Sequence, residues 1–349
     1  MKLLIVDDSP LARAIIGDLL KKLDFITQID TARNGKSALD MLQNNSYDLI
    51  ILDVEMPIMN GLKFLEEKKN IHDTTPTIML SSLTKEGSEI TLKALELGAI
   101  DFIPKPTDNK YSFDNIQEEL YQKIRNVYND FILRKKDTNK KSEYVSSVSI
   151  YQTSRKLSEF EIVLFGSSTG GPKTLVNILK DIPKDFPLPI AIVQHMPEFF
   201  TFTLASRLNQ IAKLKVFEAE QEEILKPGSI VVAKGNKHLL FERLQDKTFK
   251  ILLDDSPKIH AVRPSIDKTL ENLVNITKGR TIAVILTGMG KDGVESLKLL
   301  KKHGGFVIAQ DEETSTIFGM SKRAIEENVV DVVLPDYKIA DYLTKMNEF

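Results

Sequence analysis

The stretch Asp48-Leu49-Ile50-Ile51-Leu52-Asp53-Val54-Glu55-Met56-Pro57 decides the fold of the amino-terminal part of this chain. Residues 49–52 are all large and aliphatic, so an extended segment here is apolar on both faces, as a strand inside a parallel sheet must be. Outward from it, Leu3-Leu4-Ile5-Val6 and Thr77-Ile78-Met79-Leu80 read the same way, and Phe102-Ile103 follows. Amphipathic segments at 10–22, 35–44 and 86–97 lie between these runs. In the first of them Leu11, Ile15, Leu19 and Leu23 recur at helical spacing and are expected to bury one face. Short strands alternating with helices predict a parallel sheet with crossover helices.

The chain has 349 residues, more than one hydrophobic core usually serves, so two domains are expected. Lys+Arg 47 against Asp+Glu 49 leaves no basic excess to hold a nucleic-acid backbone. Cysteine is absent, which excludes disulfides, thiolate metal sites and a cysteine nucleophile. The start, MKLLIVDDSP, turns acidic too soon for a secretory signal, and no apolar run reaches the ~18–20 residues that span a bilayer. A soluble, cytoplasmic protein without direct membrane insertion is expected.

Between 134 and 159 the texture changes. Arg134-Lys135-Lys136, Lys140-Lys141, Ser146-Ser147 and Ser149 stand among few large apolar residues, which reads as a solvated linker rather than a lipid or nucleic-acid patch. A helix over 116–133 closes the part before it. The expected division is therefore 1–122, a closing helix and linker over 123–159, and 160–349. In the last part, strand-like runs at 161–165, 190–194, 229–233, 282–286 and 306–309 predict a second doubly wound α/β domain.

Acidic residues sit where the first set of strands end. Asp7-Asp8 follow residues 3–6, and Asp53 follows 49–52; Ser81 and Lys105 end the later strands. Residues beyond neighbouring carboxyl ends of a parallel sheet converge on one rim. Carboxylates crowded there become tolerable around a hard divalent cation such as Mg²⁺. A carboxylate nucleophile, a metal, a hydroxyl and an ammonium are the parts that phosphoryl transfer needs. Singly, Asp7 and Asp8 could cap the helix starting near Pro10, and Asp53 could be a turn residue; the coincidence of all of them at strand ends favours a site.

LLIVDDSP, DLIILDVEMPIMNGL, PTIMLSS and ALELGAIDFIPKP, in this order and spacing, resemble the receiver domain of bacterial response regulators. The resemblance implies a flavodoxin-like domain in which Asp53 accepts a phosphoryl group. It further implies that Asp8, assisted by Asp7, Asp53 and the Glu55 backbone carbonyl, holds Mg²⁺. Lys105 would pair with the phosphoryl group, with Ser81 and Phe102 at the switch positions.

After 161–165 comes Gly166-Ser167-Ser168-Thr169-Gly170-Gly171-Pro172, in which Gly166-x-Ser168-x-Gly170 has nucleophile-elbow spacing. Alone, the turn could equally cradle a phosphate or simply end a strand. A serine nucleophile needs a base. His195 directly follows 190–194 at a strand's carboxyl end, whereas His303 reads as a helix end, His260 lies in a polar loop and His238 in a Lys/Asn-rich turn. Asp292, on the glycine-rich loop after 282–286, could orient the imidazole or cap the helix over 294–302. The order Ser…His…Asp differs from that of α/β-hydrolases.

GSSTGGP, VQHMP, RPSID, TGMGKDG and AQDEETSTIFGM resemble the catalytic domain of the chemotaxis protein-glutamate methylesterases. With the receiver-like part in front, the resemblance spans nearly the whole chain: two doubly wound α/β domains, a flavodoxin-like receiver followed by a parallel-sheet esterase domain. It implies Ser168 as nucleophile, His195 as base, Asp292 as its orienting partner, Met289 as a backbone oxyanion donor, and Thr169 beside the nucleophile. It also implies methyl-accepting chemotaxis receptors as substrate, glutamine deamidation as a second activity, and a chemotaxis histidine kinase as phosphodonor. No cofactor is implied for the esterase.

Three positions depart from the family pattern. Ala233-Lys234-Gly235 stands for Ala-Pro-Gly, Ser321 for a proline, and Glu222-Glu223 for a Gly-Asp pair. A DNA-binding output would need a basic recognition helix, and a nucleotide-binding output a Walker lysine, and neither is present. The alternative that keeps the fold is a non-catalytic receptor-binding scaffold.

Overall fold

The computed structural model describes residues 1–105, 113–132 and 155–346. The chain divides into two compact units, Met1–Lys140 and Lys141–Phe349. Most of the linker expected at 134–159, including its basic clusters, lies outside the described residues.

In the first unit five strands, β1 (Lys2–Val6), β2 (Gln28–Ala32), β3 (Leu49–Asp53), β4 (Thr77–Ser81) and β5 (Asp101–Pro104), form one parallel sheet in the order β2-β1-β3-β4-β5. This is the flavodoxin-like doubly wound order, with its switch point between β1 and β3. Helices α1 (Pro10–Leu20), α2 (Gly35–Asn44), α3 (Gly61–Asn70), α4 (Lys85–Leu97) and α5 (Phe113–Val127) make the connections and the closing element. Ser9, Asn34, Asn60 and Thr84 each cap the following helix with a side-chain oxygen, which fixes where α1 to α4 begin. β3 and β4 are buried throughout, as the aliphatic runs require. The face expected for α1 is rotated: Gly17 and Leu20 are buried, Leu23 packs in the core beyond the helix, and Leu11 is exposed.

In the second unit seven parallel strands lie in the order β15-β14-β13-β6-β7-β10-β8. They are β6 (Ile162–Ser167), β7 (Ile190–Gln194), β8 (Lys215–Glu218), β10 (Ser229–Val232), β13 (Thr281–Ile285), β14 (Phe306–Gln310) and β15 (Val332–Leu334). A separate antiparallel sheet joins β9 (Ile224–Leu225), β11 (His238–Arg243) and β12 (Phe249–Asp254). The helices are α6 (Gly171–Leu179), α7 (Phe200–Ile211), α8 (Ile266–Thr277), α9 (Val294–Lys302), α10 (Met320–Glu326) and α11 (Asp336–Lys345). Strand order runs one way from β6 to β7 and the other way from β6 to β13, so the crevice at a switch point opens over the ends of these three strands. Leu157 is fully buried in this unit and its N–H donates to the Met346 carbonyl at 2.8 Å.

Candidate active site and phosphorylation site

At the switch point of the first sheet Asp7 and Asp53 are buried side by side and Asp8 is exposed. The three carboxylates offer oxygens within 4.8 Å of one another. Lys105 Nζ lies 2.7 Å from Asp53 Oδ1 and 3.2 Å from Asp7 Oδ2. One ammonium therefore answers two buried carboxylates. Burial, with the Asp7 charge adding to it, pushes the Asp53 carboxyl above its ordinary range even though Lys105 and the Glu55 N–H pull the other way. Burial would lower Lys105, but Asp53 and Asp7 together hold it above the ordinary lysine value. Among the described residues Asp7 Oδ2 has no well-aligned hydrogen-bond donor, only the Lys105 ammonium 3.2 Å away. A buried carboxylate oxygen left in this state fits a cation-binding rim.

Two of the switch candidates are turned elsewhere. The Ser81 hydroxyl accepts from Thr91 Oγ1 at 2.5 Å and lies 3.3 Å from the Gly87 carbonyl, both on α4. Phe102 is buried, with Lys123 Nζ 5.1 Å from its ring centroid. Glu55 is exposed, and its N–H reaches Asp53 Oδ1 at 3.4 Å.

In the second unit the turn after β6 carries Ser168. Ser167 and Gln194 are register partners on β6 and β7, so Ser168 and His195 are the next residues on adjacent strands. The His195 N–H donates to the Ser167 carbonyl at 3.0 Å, and Gln194 Nε2 to the Ser168 carbonyl at 2.9 Å. From the other neighbour, β13, the Thr287 carbonyl accepts from the Ser168 N–H at 3.0 Å. The left-handed residue of the turn is Gly170 (φ 80°) and not the serine, unlike a strained nucleophile elbow.

His195 Nε2 lies 2.8 Å from Asp292 Oδ2, and both side chains are nearly buried. Asp292 takes three further donors. Ser265 Oγ (2.7 Å) and the Asp267 N–H (3.1 Å) reach Oδ1, and the Ile266 N–H (2.6 Å) reaches Oδ2. Asp292 thus sits on the amino end of α8, where free N–H groups and the helix dipole favour a negative charge. Burial alone would raise its carboxyl; His195 and the helix donors outweigh it and hold Asp292 below the ordinary carboxylate range. Asp292 therefore does not cap the helix that follows it; its carboxylate accepts the first two N–H groups of α8, whose N-cap residue is Ser265.

With Nε2 engaged by Asp292, Nδ1 is the other ring nitrogen of His195. No Ser168 Oγ–imidazole hydrogen bond is formed among the described residues; such bonds are often long without substrate. Met289 is half-buried, and its N–H has no partner among the described residues. Thr169 is buried, its carbonyl accepting from Thr287 Oγ1 at 2.9 Å. Of the other histidines, His303 does end a helix (α9), whereas His238 is no turn residue: it opens β11, fully buried, with Nε2 3.1 Å from the Pro257 carbonyl.

Ser265 and Asp267, within RPSID, and Gln194 and Thr287, beside strand ends, belong to the same hydrogen-bond network, which motif likeness alone does not reveal. Their polar side chains at the same rim were the available signal. The departures from the family pattern also find places. Glu222 adopts a left-handed backbone (φ 66°), the conformation a glycine takes without strain. Ser321 donates to the Ile285 carbonyl at 3.1 Å, and Lys234 Nζ lies 2.7 Å from Glu220 Oε1.

Comparison with known proteins agrees with this layout. Residues 163–343 match the CheB methylesterase family and residues 3–117 the response regulator receiver domain. A Thermotoga maritima relative named protein-glutamate methylesterase/protein-glutamine glutaminase is 41% identical over 349 residues, covering 99% of this chain and 98% of its own. One of the same name from Archaeoglobus fulgidus is 39% identical, covering 100% and 98%. The crystal structure of the Thermotoga maritima CheB methylesterase catalytic domain superposes with a TM-score of 0.52 at 50% identity, covering 54% of this chain and 98% of that one. Among the described residues no helix is long and apolar enough to cross a membrane. Since the family match takes in more than half of the sequence and such relatives align from end to end, the chain belongs to the CheB methylesterase family, with a response regulator receiver domain ahead of the catalytic one.

Proposed function

We propose that this protein hydrolyses γ-methyl esters of glutamyl residues on methyl-accepting chemotaxis receptors, and that its receiver controls the reaction. The observation that carries the esterase reading is the His195–Asp292 pair, anchored on α8 and placed at the strand beside Ser168. His195 Nδ1 removes the hydroxyl proton as Ser168 Oγ attacks the ester carbonyl. Asp292 holds Nε2–H and stabilises the imidazolium that forms. The oxyanion is met by backbone N–H groups, with that of Met289 as a donor beside the Thr169 turn. The imidazolium returns its proton to the departing methanol, and water then hydrolyses the acyl-serine by the same base, restoring a carboxylate. Glutamine deamidation follows the same path with ammonia as leaving group.

In the receiver, Asp53 Oδ1 is tied to Lys105 and Glu55, which leaves Oδ2 to attack the phosphoryl group of a histidine kinase. Asp7, Asp8 and Asp53, with the Glu55 carbonyl, would hold Mg²⁺, which when bound neutralises charge on the phosphoryl oxygens. Lys105 supplies the fixed positive charge. Phosphorylation would draw the Ser81 hydroxyl from Thr91 and release Phe102, relieving a restraint that the receiver places on the esterase.

The test is methanol release from methylated receptor by the wild type and by Ser168→Ala, each with and without a small phosphodonor plus Mg²⁺. Release that rises with phosphodonor and vanishes in Ser168→Ala is expected. Release from neither protein would turn the reading to a receptor-binding scaffold. Cleavage near Lys135–Lys141, followed by removal of the receiver, should raise basal activity; unchanged activity would end the proposal of restraint.

A further inference from the structure

Two aspartates exchange helices in the second unit. Asp292 precedes α9 yet accepts from the first two N–H groups of α8, whereas Asp267, in the first turn of α8, accepts from the Ser296 N–H (2.9 Å) and Oγ (2.7 Å) in the first turn of α9. Each helix start is thus neutralised by an acid carried on the other's segment. The two are joined directly, because the Asp267 N–H donates to Asp292 Oδ1. Each also faces an imidazole. Asp292 has His195 at 2.8 Å, and Asp267 Oδ2 has His260 Nε2 at 3.3 Å.

His260, Asp267 and Asp292 bring their ligand atoms within 4.8 Å of one another, close enough to suggest a metal. The donor set argues otherwise. Asp292 already receives four donors on its two oxygens, and a carboxylate offers about four lone-pair sites. What the cluster lacks is balance of charge: two carboxylates so near repel each other unless each keeps its own cationic or hydrogen-bonding partner. His260 supplies the second partner from a loop in which it and Ala261 both take left-handed backbone (φ 51° and 65°). Such a conformation costs free energy in non-glycine residues and persists where the surroundings impose it.

We infer that His260 is a positioning residue of the esterase, acting through Asp267. By keeping the Asp267 carboxylate in place it holds the first turn of α8. That turn aims the Ile266 and Asp267 N–H groups at Asp292, and through Asp292 it sets the His195 ring. The inference rests on the Ser168–His195–Asp292 reading. It goes beyond it by assigning a second Asp–His pair, whose imidazole is about one-third exposed (34%) and so open to substitution without loss of the core.

The experiment uses the full chain as wild type, His260→Ala and His260→Gln. It reads kcat and KM for methyl-ester hydrolysis, and the downfield proton resonance of the His195–Asp292 hydrogen bond. In His260→Ala, kcat should fall on the order of tenfold with KM unchanged. Glutamine, whose amide nitrogen reaches about where Nε2 stands, should restore most of it. The resonance should move in the alanine variant and return in the glutamine one. Unchanged kcat with an unmoved resonance overturns the inference, as does a change confined to KM, which would mark a substrate contact. Should the wild type hydrolyse nothing, the catalytic reading fails by itself. The resonance then decides the positioning: moved in His260→Ala it stands, unmoved it falls.

Discussion

The Gln194 side-chain amide spans the peptide that leads to Ser168: its Oε1 accepts from Ser167 Oγ at 2.6 Å while its Nε2 donates to the Ser168 carbonyl at 2.9 Å. The clamp needs room that only glycine leaves at position 171. A Cβ there would collide with Gln194 Oε1 and stand 2.8 Å from Ser167 Cβ. Gly171→Ala should therefore displace the amide and the serine together. We expect kcat to fall by at least about tenfold, since small misplacements of reacting groups carry costs of that size. Gln194→Ala should lower kcat in the same direction, and steady-state kinetics on a methyl-ester substrate checks both.

Asp292 makes stability depend on pH with a definite sign. Its carboxyl is held below the ordinary range in the folded state, so the charged form is favoured by folding. That stabilisation is complete above the unfolded value of about 3.9 and is lost as pH falls through the lower folded value. Asp292→Asn should thus melt below wild type at pH 7, and the gap should close under strongly acidic conditions. Calorimetry of the full chain across pH decides it; a gap independent of pH would refute the charge argument.

Asp53 has the opposite sign. Burial and Asp7 raise its carboxyl, so ionising it at neutral pH costs the receiver stability. The advantage of the protonated form is fully present below about 3.9 and is lost as pH rises through the folded value. Asp53→Asn should raise the receiver's melting temperature at pH 7, with the gain shrinking in acid. Mg²⁺ should raise the wild-type midpoint more than that of Asp53→Asn, because an ion bound only by the folded state stabilises it. A Mg²⁺ response equal in both proteins would count against Asp53 as part of the site.

Glu161 anchors the start of β6. It is nearly buried, and its carboxylate accepts from Arg243 Nε (2.5 Å) and Nη2 (2.9 Å) and pairs with Arg280. The two guanidinium groups are 40% and 49% exposed, which screens part of the attraction. Glu161→Gln should cost about 1–3 kcal/mol of catalytic-domain stability, less than removing one partner of a fully buried pair. Thermal unfolding followed by loss of esterase activity measures it, with KM expected to stay at the wild-type value.

How much of this was legible in the sequence depends on what each residue faces. β1, β3 and β4 announced themselves because both their faces are buried and each holds a run of at least three consecutive apolar residues. β2 did not: as an edge strand, Gln28–Ala32 reads QIDTA and buries only Ala32. The antiparallel β9, β11 and β12 are hard to read because β9 has only two residues, while β11 and β12 carry charged residues and lie among charged turns. Ser168, His195, Asp7 and Asp53 stand out as candidates because a parallel sheet sends the residues after its strands to one rim. The partnership of Asp292 with α8 was hidden, since Ser265 lies 27 residues earlier and capping is ordinarily local. Motif likeness named Ser81 and Phe102, but no pattern in the sequence shows that the Ser81 hydroxyl is bonded to Thr91.

The register pairing of Ser167 with Gln194 has a consequence for how such an enzyme can diverge. Serine and histidine are spaced by sheet pleats and not by loop length, so the chain between them can lengthen or shorten without moving either. A single-residue slip within β6 or β7 is another matter, for it would turn every side chain of that strand to the opposite face. Inheritance of this site is therefore discontinuous. Connecting segments can drift freely, whereas the two central strands can change only by whole two-residue steps or not at all.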